Sequence, residues 1–269
     1  MTTHISFSQL RNWAKCPFYH KLSNIDKVDG AFTGNIYTAF GSALHETIEN
    51  HLENTISDNE LGEYFKASFL NERQTLDHEI EDKHFDQFLS QGDRLVKKYK
   101  DKLDSYFGND YEIIKCEEEI YEDVTEYNGN PFKFKGFIDL VVKTGDTYHI
   151  LDWKSCSWGW DAKKKSDKMV VYQLIYYKHY YALKHGIDPK NIECHFGLLK
   201  RTAKRNEVEL FKVTSGKRRV ENAMKFLVQA LHNIDNKVYL KNRSSCYNCE
   251  FKEQHTVRNI KENKCRKRK

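Results

Sequence analysis

Two aspartates and a lysine interrupt two consecutive apolar segments of this chain. Asp139 lies within Phe137–Val142, and Asp152 lies within Thr147–Trp153, two residues before Lys154. Because side chains two residues apart in a strand point to the same face, Lys154 shares the face of Asp152. Two carboxylates and an amine on otherwise apolar strands are groups that can bind a cation and direct a water molecule.

The short turn between these segments predicts how they pair. Gly145–Asp146 suits a two-residue type II′ hairpin turn, which requires a glycine at its first central position. That turn places Thr144 opposite Thr147, and counting outward it places Asp139 opposite Asp152. Residues opposite each other have Cβ atoms roughly 5 Å apart and point to the same face.

Two carboxylates this close repel each other unless a positive charge lies between them. Mg²⁺ or Mn²⁺ provides that charge, takes oxygen ligands and can bring a water molecule to a phosphodiester. The neighbouring Lys154 can orient that water or stabilise charge on the phosphate. In the alternative interpretation both acids face solvent and Lys154 pairs with one of them. The apolar residues flanking each acid favour a buried or cleft setting.

Four features of the sequence, in this order, resemble the RecB-like branch of the PD-(D/E)XK nucleases. They are the N-terminal Ile5-Ser6-Phe7-Ser8-Gln9-Leu10 with Cys16-Pro17, then Gly41-x-x-x-His45, then Asp139 with Asp152-x-Lys154, and finally Gln173-x-x-x-Tyr177. The resemblance implies an α/β fold of the restriction-endonuclease type, with a mixed sheet flanked by helices. It also implies site roles: His45, Asp139 and Asp152 as cation ligands, Lys154 assisting the attacking water, and Gln173 and Tyr177 lining the site.

Two further acids are candidates near this site. Glu49 lies one helical turn after His45 and shares its face, so we consider it a weaker candidate ligand. Glu117, Glu118 and Glu119 lie in the middle of a predicted strand, where three consecutive glutamates usually form a solvated face. Of these three, we expect Glu118 to approach the metal site.

Cysteines near the C-terminus predict a second metal centre. Cys246-x-x-Cys249 has the spacing of a bidentate clip for Zn²⁺ or an iron–sulfur cluster. An iron–sulfur subset of RecB-like nucleases, including the CRISPR-adaptation type, combines an N-terminal cysteine with a C-terminal cysteine trio. This resemblance implies a [4Fe–4S] cluster on Cys16, Cys246, Cys249 and Cys265. His255 stands where that subset usually has its last cysteine, so it competes with Cys265, and a Cys₃His set would favour zinc.

The loop after the second aspartate combines aromatic and basic side chains. It contains Trp158, Trp160 and the run Lys163, Lys164 and Lys165. Rings that stack on bases and ammonium groups that pair with phosphates are typical of single-stranded DNA channels. In the alternative interpretation the lysines form an exposed turn. Trp153 is expected in the core, because it points away from the acids.

The composition indicates a folded chain. Of 269 residues, 39% are hydrophobic and 31% are charged, and the formal net charge of +5 allows a nucleic-acid partner without requiring one. With no low-complexity linker and no repeat, we predict one nuclease domain over residues 1–269, with a helical insertion at 55–110 and a cysteine tail at 240–269. No apolar run is long enough for a membrane span and no signal peptide is evident, so we expect an intracellular protein, which a phage could encode.

Periodicity predicts five strands and several helices. The strands are Tyr111–Val124, Phe132–Val142, Thr147–Ser155, Ile192–Leu199 and Val208–Val213, and the first three form an antiparallel sheet. The helices are about Phe40–Asn54, two or three within 58–107, Lys168–His185 and Ser215–Asn236, with Ser6 or Ser8 as the cap of an N-terminal helix.

These features together predict a metal-dependent DNA nuclease. A Walker-type GxxxxGK[ST] motif is absent, so cutting is expected without ATP, and a helicase or recombination protein would be a separate partner. The resemblance to small stand-alone nucleases of phage recombination and CRISPR adaptation implies exonuclease action on single-stranded DNA or DNA ends. Two alternatives remain: a non-catalytic DNA-binding or assembly subunit with the same fold, and an RNA nuclease.

Overall fold

The structure, a computed structural model, describes residues 3–76 and 82–252, with the side chains of residues 82 and 83 left out. These residues form a six-stranded mixed sheet flanked by helices, which confirms the predicted α/β class. The strands are β1 Thr3–Ser6, β2 Glu112–Asp123, β3 Phe132–Thr144, β4 Thr147–Cys156, β5 Ile192–Lys200 and β6 Val208–Val213.

The helices are α1 Phe7–Lys15, α2 Pro17–His20, α3 Ile36–Leu52, α4 Leu61–Gln74, α5 Asp82–Val96, α6 Tyr99–Phe107, α7 Ala162–Ser166, α8 Lys168–His185 and α9 Lys217–Asp235. Lys21–Ile25 forms a π-helical turn, and Pro189–Asn191 and Arg243–Asn248 form 3₁₀ turns. Within the described ranges, no helix is both long and apolar enough to cross a bilayer.

Strand β3 is the centre of the sheet topology. One of its edges pairs with β2 along most of its length. The other edge is shared: β1 runs parallel to residues Phe132–Lys135, and β4 runs antiparallel to residues Leu140–Thr144. Residues 136–139 of that edge have no strand partner within the described chain, so the sheet opens a gap between β1 and β4.

The hairpin of β3 and β4 has the predicted register. Thr144 pairs with Thr147, and Gly145 has φ +54° whereas Asp146 has no positive φ, as a type II′ turn requires. The paired rungs end at Leu140 and Leu151. Beyond that rung β4 continues only alongside β5, in parallel pairing through Cys156, so Asp139 and Asp152 lie where the two strands separate.

Strands β2 and β3 change faces at one common row. Ile138 packs in the core beneath α8, whereas Leu140, two residues later, packs beneath α3. A regular strand would point both to one face. In β2 the same switch lies between Cys116 and Ile120, and Glu117, directly after Cys116, has φ +46°. The row of Glu117 and Asp139 is therefore irregular in both strands.

Two apolar layers cover the sheet. Helices α1, α8 and α9 pack on one face, and α3 to α6 pack on the other. Trp153 is only 1% exposed, as predicted, and it fills the space above Gly197, its pairing partner on β5. A Cβ atom at Gly197 would lie 2.2 Å from the indole ring, so the glycine makes room for the tryptophan.

Most predicted elements are confirmed, with shifts at their ends. Strand β6 and helix α8 have the predicted bounds, and Ser6 caps α1 with Gln9 completing a capping box. Helix α3 begins at Ile36 rather than Phe40, because the Asn35 side chain accepts hydrogen bonds from the first turn. The four-residue strand β1 was not predicted, since its pairing with β3 spans more than a hundred residues of chain.

Candidate active site

The separation of β3 from β4 is stabilised by the first aspartate. Asp139 Oδ2 accepts a hydrogen bond of 2.6 Å from the backbone N–H of Trp153, in the place of the next rung of the ladder. A side chain thus replaces a backbone partner at the point where the strands diverge. The Asp139 side chain is 13% exposed, so the carboxylate lies at the base of the gap rather than in bulk water.

The second aspartate is buried among polar partners. Asp152 is 1% exposed, and its Oδ1 accepts a hydrogen bond of 2.7 Å from Gln173 Nε2. Lys154 Nζ lies 2.6 Å from the other oxygen, Oδ2. Oδ2 is buried, and no donor other than this ammonium contacts it within the described residues. A carboxylate oxygen has two lone pairs, so Oδ2 can bind a cation beside the ammonium.

Helix α8 supplies two residues of the site. Gln173 Nε2 also lies 3.1 Å from Tyr177 Oη, so one amide connects the carboxylate to the phenol. Tyr177 packs above Gly136 of β3, where a Cβ atom would lie 2.6 Å from the phenol ring. Gln173 and Tyr177 are one helical turn apart, as the sequence indicated, so both side chains lie on the face of α8 that borders the gap.

Helix α3 brings a histidine to the same place. His45 Nδ1 lies 3.5 Å from Asp139 Oδ2, and one ligand atom each from His45, Glu117 and Asp139 fall within 4.8 Å of one another. Gly41, one turn earlier, permits this approach, because a Cβ atom there would lie 3.2 Å from Ser155 Oγ of β4. One nitrogen and two carboxylate oxygens at this spacing suit a divalent cation.

Burial dominates the ionisation of the site. It raises the pKa of Asp139 to about 6 and that of Asp152 to about 6, although Lys154 opposes both shifts. Burial, with Asp139 as a second cause, raises the pKa of Glu117 to about 7. Burial lowers the pKa of His45, so the imidazole is favoured in its neutral, ligating form. Three acids that are difficult to ionise and a neutral histidine fit a site that a cation completes.

The structure brings together the six residues that the sequence singled out for this site. The prediction that Glu118 approaches the metal site was wrong. Its carboxylate pairs with Lys184 at 2.7 Å and with His185 at 2.8 Å, away from the gap. Glu117 takes its place, because its positive φ turns the strand. Glu49 is not among the three clustered ligand residues, although its charge contributes to raising the pKa of Glu117. The chemical roles of these residues stay predictions.

A cavity of about 750 Å³ adjoins Lys154, Gln173 and Tyr177 and extends along the gap towards β1. We call it the basic groove. Its lining includes four cationic side chains, Arg11, Lys135, Lys154 and Lys164, together with Phe137 and Trp160. The sequence did not indicate Arg11 or Lys135, because α1 and the first half of β3 become neighbours only through the β1–β3 pairing.

The predicted DNA-contact residues have different environments. Trp160 and Lys164 line the basic groove, with Lys164 Nζ 5.1 Å from the indole ring. Trp158 is 68% exposed and Lys163 is exposed, but neither lines the groove. Lys165 is engaged by Glu209 at 2.5 Å. Whether any of them contacts DNA stays a prediction.

The N-terminal segment and the last described residues meet around two of the cysteines. Cys16 and Cys249 belong to one small apolar cluster with Tyr19 and Phe251, and Cys16 Sγ accepts the backbone N–H of Asn242 at 3.3 Å. Cys246 is exposed. Cys265 and His255, the two candidates for the last ligand, lie outside the described residues, so the structure gives only part of the predicted ligand set.

Comparisons with known proteins concern the family and the fold of the chain. The family model of the PD-(D/E)XK nuclease superfamily matches residues 4–254. The solved structure of a "Putative exonuclease" from Eubacterium rectale is 13% identical, with a TM-score of 0.57 over 99% of this chain and 90% of that chain, which shows a shared fold. The structure of SSO0001 is 13% identical with a TM-score of 0.37, over 82% of this chain and 96% of that one. Among curated proteins no relative matches the chain.

Because protons and a cation compete for the same carboxylates, we expect the stabilisation by Mn²⁺ to increase with pH. Without a cation, the raised pKa values of Asp139, Asp152 and Glu117 add stability that is complete below about pH 4 and is lost as the pH rises through 6 to 7. The lowered pKa of His45 acts in the opposite sense. The Mn²⁺-induced rise in unfolding temperature, measured by scanning fluorimetry, should be several degrees at about pH 7.5 and close to zero at about pH 5.

The control is the double variant Asp139→Asn with Asp152→Asn, which keeps the side-chain volumes and should lose the pH-dependent rise. An equal rise at both pH values in the unaltered protein would contradict the assignment of these acids to a cation site.

Proposed function

This chain belongs to the PD-(D/E)XK nuclease superfamily, and we propose that it is a metal-dependent deoxyribonuclease that degrades single-stranded DNA or DNA ends as an exonuclease. One observation carries the proposal: a histidine, three acids and a lysine meet at the point where β3 and β4 separate, with Asp152 buried and Glu117 and Asp139 half-buried. This point opens directly onto a groove lined by cationic side chains.

The ligand set fits a hard divalent cation such as Mg²⁺ or Mn²⁺. The candidate ligands are His45, Glu117 and Asp139, which cluster together, and Asp152 through Oδ2 beside Lys154. A cation bound there would supply Lewis-acid polarisation of the phosphodiester. Because the pKa values of the acids are raised, a bound cation would favour their joint ionisation, which couples the active state to the metal.

Lys154 is placed to act on the attacking water or on the phosphate. Its side chain is 33% exposed and lines the basic groove, while its ammonium remains 2.6 Å from Asp152. From this position the ammonium can donate a hydrogen bond to a water or neutralise charge developing on a phosphate oxygen. Gln173 holds Oδ1 of Asp152, which keeps Oδ2 directed at Lys154 and at the proposed cation position.

The basic groove favours a single strand as substrate. Phe137 is 41% exposed beside Lys135, which presents an aromatic face and a cation at the groove. Stacking on such rings and pairing of phosphates with lysines are typical of single-strand binding. The fold shared with the Eubacterium rectale protein supports exonuclease action, and the chain has no nucleotide-binding motif that would make cutting depend on ATP.

We expect Asp152→Asn to abolish cutting while DNA binding is retained. The substitution keeps the side-chain volume but removes the ligand charge, so the rate should fall on the order of 10³-fold. The assay compares end-labelled linear with circular single-stranded DNA, with Mn²⁺ and with chelator. Linear DNA should be degraded only with metal, and circular DNA should resist.

Asp146→Asn is the matched control, because Asp146 lies in the turn of the same hairpin and is exposed. Full activity of Asp152→Asn would refute the assignment of the site. Cleavage of the circular strand would replace the exonuclease proposal by an endonuclease. Preferential cutting of an RNA strand of the same sequence, or binding without cutting, would support the RNA nuclease or the non-catalytic subunit.

A second expectation concerns the basic groove. The double variant Arg11→Ala with Lys135→Ala should weaken single-stranded DNA binding at every sequence tested and should reduce the salt dependence of log Kd by about one to two counterions. Fluorescence anisotropy over a range of salt concentrations measures both. Lys190→Ala, an exposed lysine outside the groove lining, is the control. An unchanged salt slope in the double variant would show that the strand follows another path.

We further propose that Cys16, Cys246, Cys249 and Cys265 bind a [4Fe–4S] cluster that joins the chain ends. The approach of Cys16 and Cys249 within one cluster supports this ligand set, and the backbone N–H donated to Cys16 Sγ suits a thiolate. With His255 in place of Cys265 the set would favour zinc.

Anaerobically purified protein should be brown, with a broad visible absorbance and about four irons per chain. Cys246→Ser should lose most of the iron, whereas Cys156→Ser, which alters a half-buried cysteine of β4, should keep it. A colourless protein without iron would contradict the cluster.

A further inference from the structure

A second group of potential ligands lies on the other face of the sheet. His149 of β4 pairs in register with Glu193 of β5, and His195 follows on the same face two residues later. This face packs against α6, whereas Asp152 Oδ1 accepts a hydrogen bond from α8 on the opposite face. His149 precedes Asp152 by three residues, or roughly 10 Å along the strand. The proposed hydrolase does not use these three residues.

The three potential ligand atoms have the separations of a preformed zinc site. His149 Nδ1 lies 3.0 Å from His195 Nε2, and Glu193 Oε2 lies 3.8 Å from the first and 3.9 Å from the second. A circle through three atoms with these separations has a radius of about 2.1 Å, so one point in their plane is equidistant from all three at the usual length of a zinc–nitrogen or zinc–oxygen bond. A tetrahedral ion lies out of this plane, so these separations would change by about half an ångström on binding.

The other nitrogen of each imidazole already has an outer partner. His149 Nε2 lies 2.7 Å from Thr144 Oγ1, and His195 Nδ1 lies 3.1 Å from Tyr106 Oη. Zinc-bound histidines characteristically use their second ring nitrogen in this way, which fixes the tautomer and the ring orientation. With protons on these outer nitrogens, both inner nitrogens present lone pairs to the same point.

The carboxylate is oriented in the same manner. Glu193 Oε1 is held by Lys212 Nζ at 2.5 Å, which leaves Oε2 directed at the imidazoles. His149 is 7% and His195 is 2% exposed, and the ring of Phe107 covers both, with centroid distances of 4.8 and 5.4 Å. Burial lowers the pKa of both imidazoles, to about 3 for His195, which keeps them in the neutral form.

We propose that His149, Glu193 and His195 bind a Zn²⁺ ion, with water in the fourth position. The site is inferred from two buried histidines and one carboxylate that lie together. Each of the three side chains also has a second partner that orients it. Histidine nitrogens favour zinc over magnesium, so the site differs in metal preference from the acid-rich hydrolase site. The ion would join β4 to β5 near their amino ends and so fix the strand that carries Asp152 and Lys154.

The test is zinc binding by full-length protein in a background without the hydrolase ligands. Metal-free protein with Asp139→Asn and Asp152→Asn is titrated with Zn²⁺ and, in parallel, with Co²⁺. Compared with this parent, His195→Gln should bind one zinc fewer per chain. The cobalt signal lost in His195→Gln should be a visible d–d band with no accompanying thiolate charge-transfer band. A charge-transfer band would instead mark cobalt bound by the cysteine tail.

Thr144→Val is the second variant, since valine keeps the shape and strand preference of threonine but cannot pair with His149. It should weaken zinc binding about 10- to 100-fold. His185→Gln, which changes a histidine outside the cluster, should leave the zinc count unchanged. The parent should also gain unfolding temperature with Zn²⁺, and His195→Gln should lose that gain.

Three outcomes would overturn the proposal. The parent and His195→Gln bind the same number of zinc ions, or Thr144→Val binds zinc as tightly as the parent. Alternatively, His195→Gln lowers the unfolding temperature equally with and without Zn²⁺, which would identify the two histidines as a buried hydrogen-bonded pair only.

Discussion

Strands β1 and β4 share one edge of β3, and the site forms where neither of them pairs with that edge. Strand β1 pairs with the first residues of that edge and β4 with the last, so residues 136–139 have no strand partner on that edge within the described chain. An unpaired edge inside a sheet leaves backbone groups without partners, which is costly unless side chains replace them. At this point Asp139 accepts a hydrogen bond from the backbone N–H of Trp153, which closes one end of the gap. The other end of the gap opens into the basic groove.

Electrostatics then explains why this gap should hold a cation. Burial raises the pKa of three neighbouring acids towards neutrality, and one lysine offsets only part of that effect. Charges that are buried and unpaired are among the most unfavourable features a fold can contain, so natural sites complete them with ions or substrates. Three separate parts of the chain contribute to the site. Helix α3 carries His45, strand β2 carries Glu117, and helix α8 holds Asp152 through Gln173. Their convergence at one gap is what distinguishes this site from an ordinary polar hairpin.

The sequence allowed prediction of what depends on local rules. The turn at Gly145 determined the hairpin register, and helical spacing placed Gln173 with Tyr177. Long-range pairing was not predictable: Arg11 and Lys135 meet in the basic groove only because β1 pairs in parallel with β3. Glu117 was missed because nothing in a run of three glutamates reveals which one takes a positive φ. The pair His149 and His195 was missed because the register of two parallel strands depends on the helix between them.

The central claim is that the acids at the separation of β3 and β4 share one divalent ion, and a crystal soaked in Mn²⁺ tests it most directly. Anomalous scattering at the manganese edge should show a peak within bonding distance of Asp139 and Asp152, with His45 as a further ligand. A fully soaked crystal with no peak between these side chains, or with a peak bound by only one of the two acids, would contradict the account.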